Sequence, residues 1–78
     1  MKNKITFDYD FNNLHQFYCI VIDALTEGEY QFKESINNDE NIILVGYKMI
    51  DEESYRIEFN CSIYELDTEV IIEYEQLY

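Results

Sequence analysis

Residues 4–28 read KITFDYDFNNLHQFYCIVIDALTEG, and the hydrophobic period changes partway along them. Ile5, Phe7, Tyr9 and Phe11 alternate with Lys4, Thr6, Asp8 and Asp10. That period of two gives a strand one apolar face. From Leu14 the spacing becomes helical: Leu14, Phe17, Tyr18, Val21 and Leu25 share a stripe, with His15, Gln16, Asp23 and Glu27 elsewhere on the wheel. Cys19, Ile20, Ile22 and Ala24 widen the stripe, so the helix is expected to be well covered. Asn12-Asn13 supplies an N-cap, with Gln16 three residues after Asn13 in the reciprocal capping position. Gly28 is placed to end the helix in the left-handed conformation. A strand followed by one helix of about four turns is the expectation.

The remainder reads as sheet. In residues 29–36, EYQFKESI, Tyr30, Phe32 and Ile36 share one parity, although Glu34 interrupts it. The turn residues NNDEN lead into IILVGYKMI, whose inward set is expected to be Ile43, Val45, Tyr47 and Met49. Ile42 and Leu44 on its other side mark a central strand or a second, partly covered face, and Gly46 marks a bulge or a close neighbour. After the turn DEES, Tyr55, Ile57, Phe59, Cys61 and Ile63 alternate with Arg56, Glu58, Asn60 and Ser62. A tight turn near Asp67-Thr68 precedes Val70, Ile72 and Tyr74 on one side, with Glu69, Ile71, Glu73 and Glu75 on the other. The fold class is therefore α+β: a single helix packed on one face of a mostly antiparallel four- to five-stranded sheet, in the order β-α-β-β-β-β. The place of the first strand in that sheet is open at this level.

Seventy-eight residues make a single compact domain, near the lower limit at which one core is stable without staples. A hydrophobic fraction of 47%, with 17% aromatic residues, excludes a disordered acidic tail. Seventeen acids stand against five bases, for a net charge of −12. Such a field disfavours direct contact with nucleic acid or anionic lipid and favours a basic protein groove or a divalent cation. Two cysteines are too few for a disulfide scaffold. The start, Met1-Lys2-Asn3-Lys4 running into alternating residues, does not read as a signal peptide. The apolar run at residues 19–22 is far too short for a membrane span. The expected setting is the cytoplasm, with reduced thiols.

No catalytic residue and no cofactor is expected. The single histidine, His15, falls in the first helical turn, and Cys19 lies four residues on, without an oxyanion-forming glycine turn. A metal held by His15 and Cys19 would need two further ligands, and only Cys61 is an obvious candidate, itself reading as a small core residue. Asp8, Asp10 and Asn12 open like a calcium loop, but Asn13 stands where the glycine belongs and Cys19 where the glutamate belongs. Gly28 and Gly46 stand alone, so no glycine-rich phosphate loop exists.

The distinctive feature is carboxylate placement. If the helix covers the apolar side, Glu58, Glu69, Glu73 and Glu75 point to the other, with Asp8 and Asp10 extending the set and Glu65, Asp67 and Tyr64 beside it. Asp51, Glu52 and Glu53 form a second cluster at a hairpin tip. Alternate strand residues lie ~6.7 Å apart and neighbouring strands ~4.8 Å apart, spacings of the same order as phosphates along a nucleic-acid strand.

In length, charge and acid-studded sheet the chain resembles the small acidic phage-encoded inhibitors that imitate DNA: anti-CRISPR, anti-restriction and uracil-DNA glycosylase inhibitor proteins. That resemblance implies a non-catalytic inhibitor acting in the host cytoplasm. Its partner would be a basic nucleic-acid-binding protein such as a nuclease, a CRISPR effector or a repair enzyme. The alternative is an acidic immunity or adaptor protein that covers a basic partner without mimicry. Ile42, Leu44 and Ile71 on the second face would serve either to pair two copies as a homodimer or to dock on the target.

Overall fold

The computed structural model describes residues 3–8 and 13–77. The elements are β1 (Asn3–Asp8), α1 (Leu14–Leu25), β2 (Gln31–Asn38), β3 (Asn41–Ile50), β4 (Glu53–Glu65) and β5 (Glu69–Gln76). The five strands form one antiparallel sheet in the order β1-β5-β4-β3-β2. This is the expected α+β arrangement, with the first strand now placed at an edge, beside β5. Strands β2 to β5 form a meander, and the segment carrying α1 crosses from one edge of the sheet to the other. The first strand was expected to run to Phe11; Tyr9, Asp10, Phe11 and Asn12 lie outside the described residues. Among the described residues, no helix is long and apolar enough to cross a membrane.

The helix begins where its cap residue predicts. Asn13 is extended, and its side-chain oxygen accepts a hydrogen bond from Gln16 N at 2.6 Å, satisfying one of the free amides of the first turn. At the other end the Thr26 hydroxyl donates to Ile22 O (2.7 Å) and accepts from Tyr30 N (3.2 Å), which ties the exit of the helix to the start of β2. Glu27 and Gly28 both adopt left-handed backbone, and Gly28 N donates to Asp23 O at 2.8 Å. The chain thus reverses over two residues, and only the second is a glycine. Leu14, an expected stripe member, is exposed, whereas Ile22 is fully buried. The covered side is Phe17, Tyr18, Val21 and Ile22.

These four side chains pack on Leu44, Ile57, Phe59, Cys61, Val70 and Ile72 of the sheet, with Ile5, Phe7, Phe32 and Tyr74 at the margins. Phe7 meets Phe17 edge-on at 5.8 Å between ring centroids, which anchors the edge strand to the helix. Gly46 is the closest approach: a Cβ there would lie 3.1 Å from Ile57 Cγ2, 3.2 Å from Ile22 Cγ2 and 3.2 Å from Tyr30 Cβ. The absence of a side chain is what lets the helix settle on β3, and the register shift beside Gly46 falls on the neighbouring strand, between the β2 partners of Gly46 and Val45.

Two sequence expectations are corrected by register. In β3 the inward set is Ile42, Leu44 and Gly46, paired with Cys61, Phe59 and Ile57, and not Ile43, Val45, Tyr47 and Met49. Both parities of this strand are apolar, so alternation alone cannot say which side meets the helix. In β2 the bulge lies at Lys33, between Phe32 (opposite Gly46) and Glu34 (opposite Val45). The extra residue reverses the sides, so Phe32 points to the helix and Ile36, of the same parity, points away.

Candidate functional site

Among the described residues, the expected acids meet on the face of the sheet without the helix. On β5, Glu69, Ile71 and Glu73 stand opposite Asp8, Thr6 and Lys4 of β1, and Ile71, Glu73 and Glu75 stand opposite Tyr64, Ser62 and Asn60 of β4. Asp8 and Glu69 are direct cross-strand neighbours of like charge, a destabilising pairing at the sheet edge. Among the described residues, Lys4 is the one cation in register with this set, opposite Glu73. Among the described residues, no ion pair within 4 Å engages Asp8, Glu69, Glu73 or Glu75. Glu69, Glu73 and Glu75 are partly covered, whereas Asp8 and Tyr64 are exposed.

Glu58 sits differently. Its carboxylate accepts from Arg56 Nε at 2.8 Å, and the same guanidinium reaches Glu34 of β2 at 3.9 Å. Glu34, Val45 and Glu58 lie in one row across β2, β3 and β4. The arginine therefore clasps the two acids that flank Val45, a residue with no exposed surface on a side where no helix lies. Its aliphatic stem provides apolar cover there as well as charge. Glu34, which pattern reading left as an interruption, joins the face because of the bulge.

The other expected acids among the described residues do not join it. Asp51 and Glu52 make the two-residue β3–β4 turn, both with positive φ, the geometry that hairpins favour and that glycine or asparagine usually supplies. Asp67 lies in the β4–β5 turn, at the opposite end of a molecule 43 Å long. Glu53 and Glu65 fall on the helix side by register, opposite Ile50 and Val70, and Glu53 accepts a hydrogen bond from the Tyr55 hydroxyl at 3.0 Å. Asp10 lies outside the described residues. Among the described residues, the twelve-residue acidic surface expected from the chain thus reduces to Asp8, Glu58, Glu69, Glu73 and Glu75, with Tyr64 among them.

Sequence reading missed the other half of this face. Ile36, Ile43, Val45, Tyr47 and Met49 run along β2 and β3 on the helix-free side, with Ile36 and Met49 openly exposed. The Tyr47 hydroxyl is held by Gln31 Oε1 at 3.1 Å. Gly46 was the available signal: a glycine that admits a helix marks its own parity as the inward one. Asn60, midway between Ile43 and Glu75, has a buried side-chain oxygen without a hydrogen-bond partner among the described residues.

The remaining chemistry is limited. Cys19 Sγ lies 3.7 Å from His15 Nε2, and the imidazole rests edge-on against Phe32. Among the described residues, no group of three or more His, Cys, Asp or Glu side chains is arranged to hold a metal. Cys61 is fully buried, and burial pushes its thiol up to about 12. Burial also raises the Tyr18 hydroxyl, with a smaller contribution from charge at Cys61. Both groups stay protonated at neutral pH and act as core. Comparison with protein-family models, curated proteins and solved structures finds no match to the chain.

Proposed function

We propose that the protein is a non-catalytic inhibitor that seats the helix-free face of its sheet in the basic cleft of a DNA- or RNA-handling protein, such as a nuclease, a CRISPR effector or a repair enzyme. The observation that carries this reading is the set Asp8, Glu69, Glu73 and Glu75, gathered on adjacent strands and free of ion pairs among the described residues. Their ladder spacing is of the order of a phosphate backbone, at ~6.7 Å along a strand and ~4.8 Å between strands. A cleft lined with Lys and Arg attracts such a surface from a distance, and the net charge of −12 speeds the encounter. Bound, the cations of the target relieve the repulsion between Asp8 and Glu69 that the free protein retains.

A second reading, an acidic immunity or adaptor protein covering a basic partner without mimicry, is favoured by the apolar residues on the same face. Duplex DNA separates the two: it displaces a mimic from its target and leaves an adaptor in place. The test of the first reading is a mobility-shift competition against a panel of nucleases, CRISPR effectors and repair enzymes. The expected result is release of DNA from at least one of them. The triple variant Glu69→Gln, Glu73→Gln, Glu75→Gln is expected to restore DNA binding. A triple variant that inhibits as well as the parent would show that the carboxylates are not the active feature.

A further inference from the structure

On the helix side of the sheet, a cavity of about 250 Å³ lies between α1 and the β2–β3 turn. It is separate from the acidic face and owes nothing to the reading of that face. Ile42, Cys61 and Ile63 give it an apolar floor, Tyr18 of α1 a wall, and Asp39 and Glu40 of the turn an acidic rim. Ile42 and Cys61 are cross-strand partners on the inward side, whereas both rim acids are exposed.

Tyr18 points to a ligand. Its side chain is only 6% exposed, and buried tyrosines ordinarily set the hydroxyl against a partner. Among the described residues this hydroxyl has none, and the nearby Cys61 thiol is already turned to Phe59 O at 3.8 Å. Nor is the hydroxyl sealed in. Among the described residues, Asn60 Oδ1 is the one fully enclosed side-chain oxygen or nitrogen without a partner, so the Tyr18 oxygen opens onto the cavity that the residue lines. Burial, and after it charge at Cys61, keeps the phenol protonated at neutral pH, which leaves its oxygen a neutral acceptor.

We propose that this cavity takes an alkyl guanidinium, either the arginine side chain of a partner or a free guanidino compound of the same shape. The stem lies on Ile42 and Ile63, and the planar head donates to the Tyr18 oxygen and to the carboxylates of Asp39 and Glu40. The volume falls below the roughly 300–1,000 Å³ of pockets for larger ligands, which suits an occupant the size of one side chain. A hard divalent cation wants about six oxygen ligands, and among the described residues no group of three or more His, Cys, Asp or Glu is arranged to hold a metal. A primary ammonium is compact and strongly hydrated. A guanidinium is weakly hydrated, spreads its donors in one plane and stacks on aromatic rings, as a half-apolar cavity walled by a tyrosine requires.

The test is NMR titration of the labelled intact protein in about 150 mM NaCl, which screens the pull that a net charge of −12 exerts on any cation. The probes are N-acetylarginine N-methylamide, its citrulline and lysine counterparts, and agmatine. The arginine amide and agmatine are expected to shift Tyr18, Ile42, Cys61 and Ile63 and to bind about tenfold tighter than the citrulline and lysine forms. Both orders of affinity between these two support the site: the amide ahead assigns a protein-borne side chain, agmatine ahead a free compound. Tyr18→Phe keeps the ring and removes only the unpartnered hydroxyl. Its unfolding midpoint is expected to hold while affinity for the arginine amide falls about tenfold. Asp39→Asn with Glu40→Gln is confined to the exposed turn, and asparagine tolerates the φ of 56° at Asp39. That variant is expected to bind more weakly and with a flatter salt dependence. Equal binding of the citrulline or lysine form, shifts centred on the acids of β1 and β5, or a Tyr18→Phe variant that binds as well as the parent would each overturn the proposal. No nucleic-acid enzyme enters this assay, so its failure and a failure of DNA displacement are separate results.

Discussion

The two halves of the helix-free face belong to one hydrogen-bonded sheet and carry opposite chemistry. On β2 and β3, apolar side chains dominate, and the acids on either side of Val45, Glu34 of β2 and Glu58 of β4, are clasped by Arg56. On β5 and β1 the acids have, among the described residues, only Lys4 in register with them, and Asp8 faces Glu69 directly. One half therefore holds surplus apolar surface and the other surplus charge. Each is a cost in the free protein that a suitable partner removes, the first by burial and the second by neutralisation. The contrast also shows why net charge is a poor map: it marks the β5–β1 half and is silent about the other.

Substitutions that strain this contrast separate by size. The largest effect is expected behind the apolar half, where Gly46→Ala forces a methyl between Ile57, Ile22 and the Tyr30 Cβ. A cost of about 1–3 kcal/mol is expected from overpacking, read from the midpoint of denaturant unfolding. An unchanged midpoint would mean that α1 does not press on β3. A smaller effect is expected at the clasp. Arg56→Gln leaves Glu34 and Glu58 without their cation and thins the cover over Val45, for about 0.5 kcal/mol in a pair this exposed. That loss should shrink in high salt; a salt-independent loss would assign it to packing alone. The smallest and opposite effect belongs to the acidic half. Asp8→Thr removes the like-charge pair with Glu69 and should stabilise by a few tenths of a kcal/mol. A loss of stability there would show that the carboxylates are balanced within the chain, against the contrast just drawn.

Several elements were legible in the chain because their signals are local. Asn13 and Gln16 mark the start of α1, and the shift from period two to helical spacing separates β1 from it. The alternation of Ile57, Phe59, Cys61 and Ile63 with Glu58, Asn60 and Ser62 identifies which side of β4 is wet. The acids of β5 that now lie together, Glu69, Glu73 and Glu75, follow from the same alternation. Elsewhere the local signal was ambiguous or misleading. In β3 both parities are apolar, so the inward side had to be decided by which one the helix could approach, and Gly46 decides it. In β2 a single unpaired residue, Lys33, reverses the side on which Ile36 stands. No feature of QFKESINN announces a bulge there.

Residue order alone determined the element types, the single helix and the parity of the last two strands, because these depend on neighbours within a few positions. The assembled sheet decided what no local pattern contains. It put β1 beside β5, so that Asp8 joined the glutamates of β5. It sent the Asp51-Glu52 and Asp67 turns to opposite ends of the molecule, and it turned Ile36, Ile43, Tyr47 and Met49 to the surface. Those outcomes depend on strand order and register, which are set by pairing between residues far apart in the chain and by where one helix can pack.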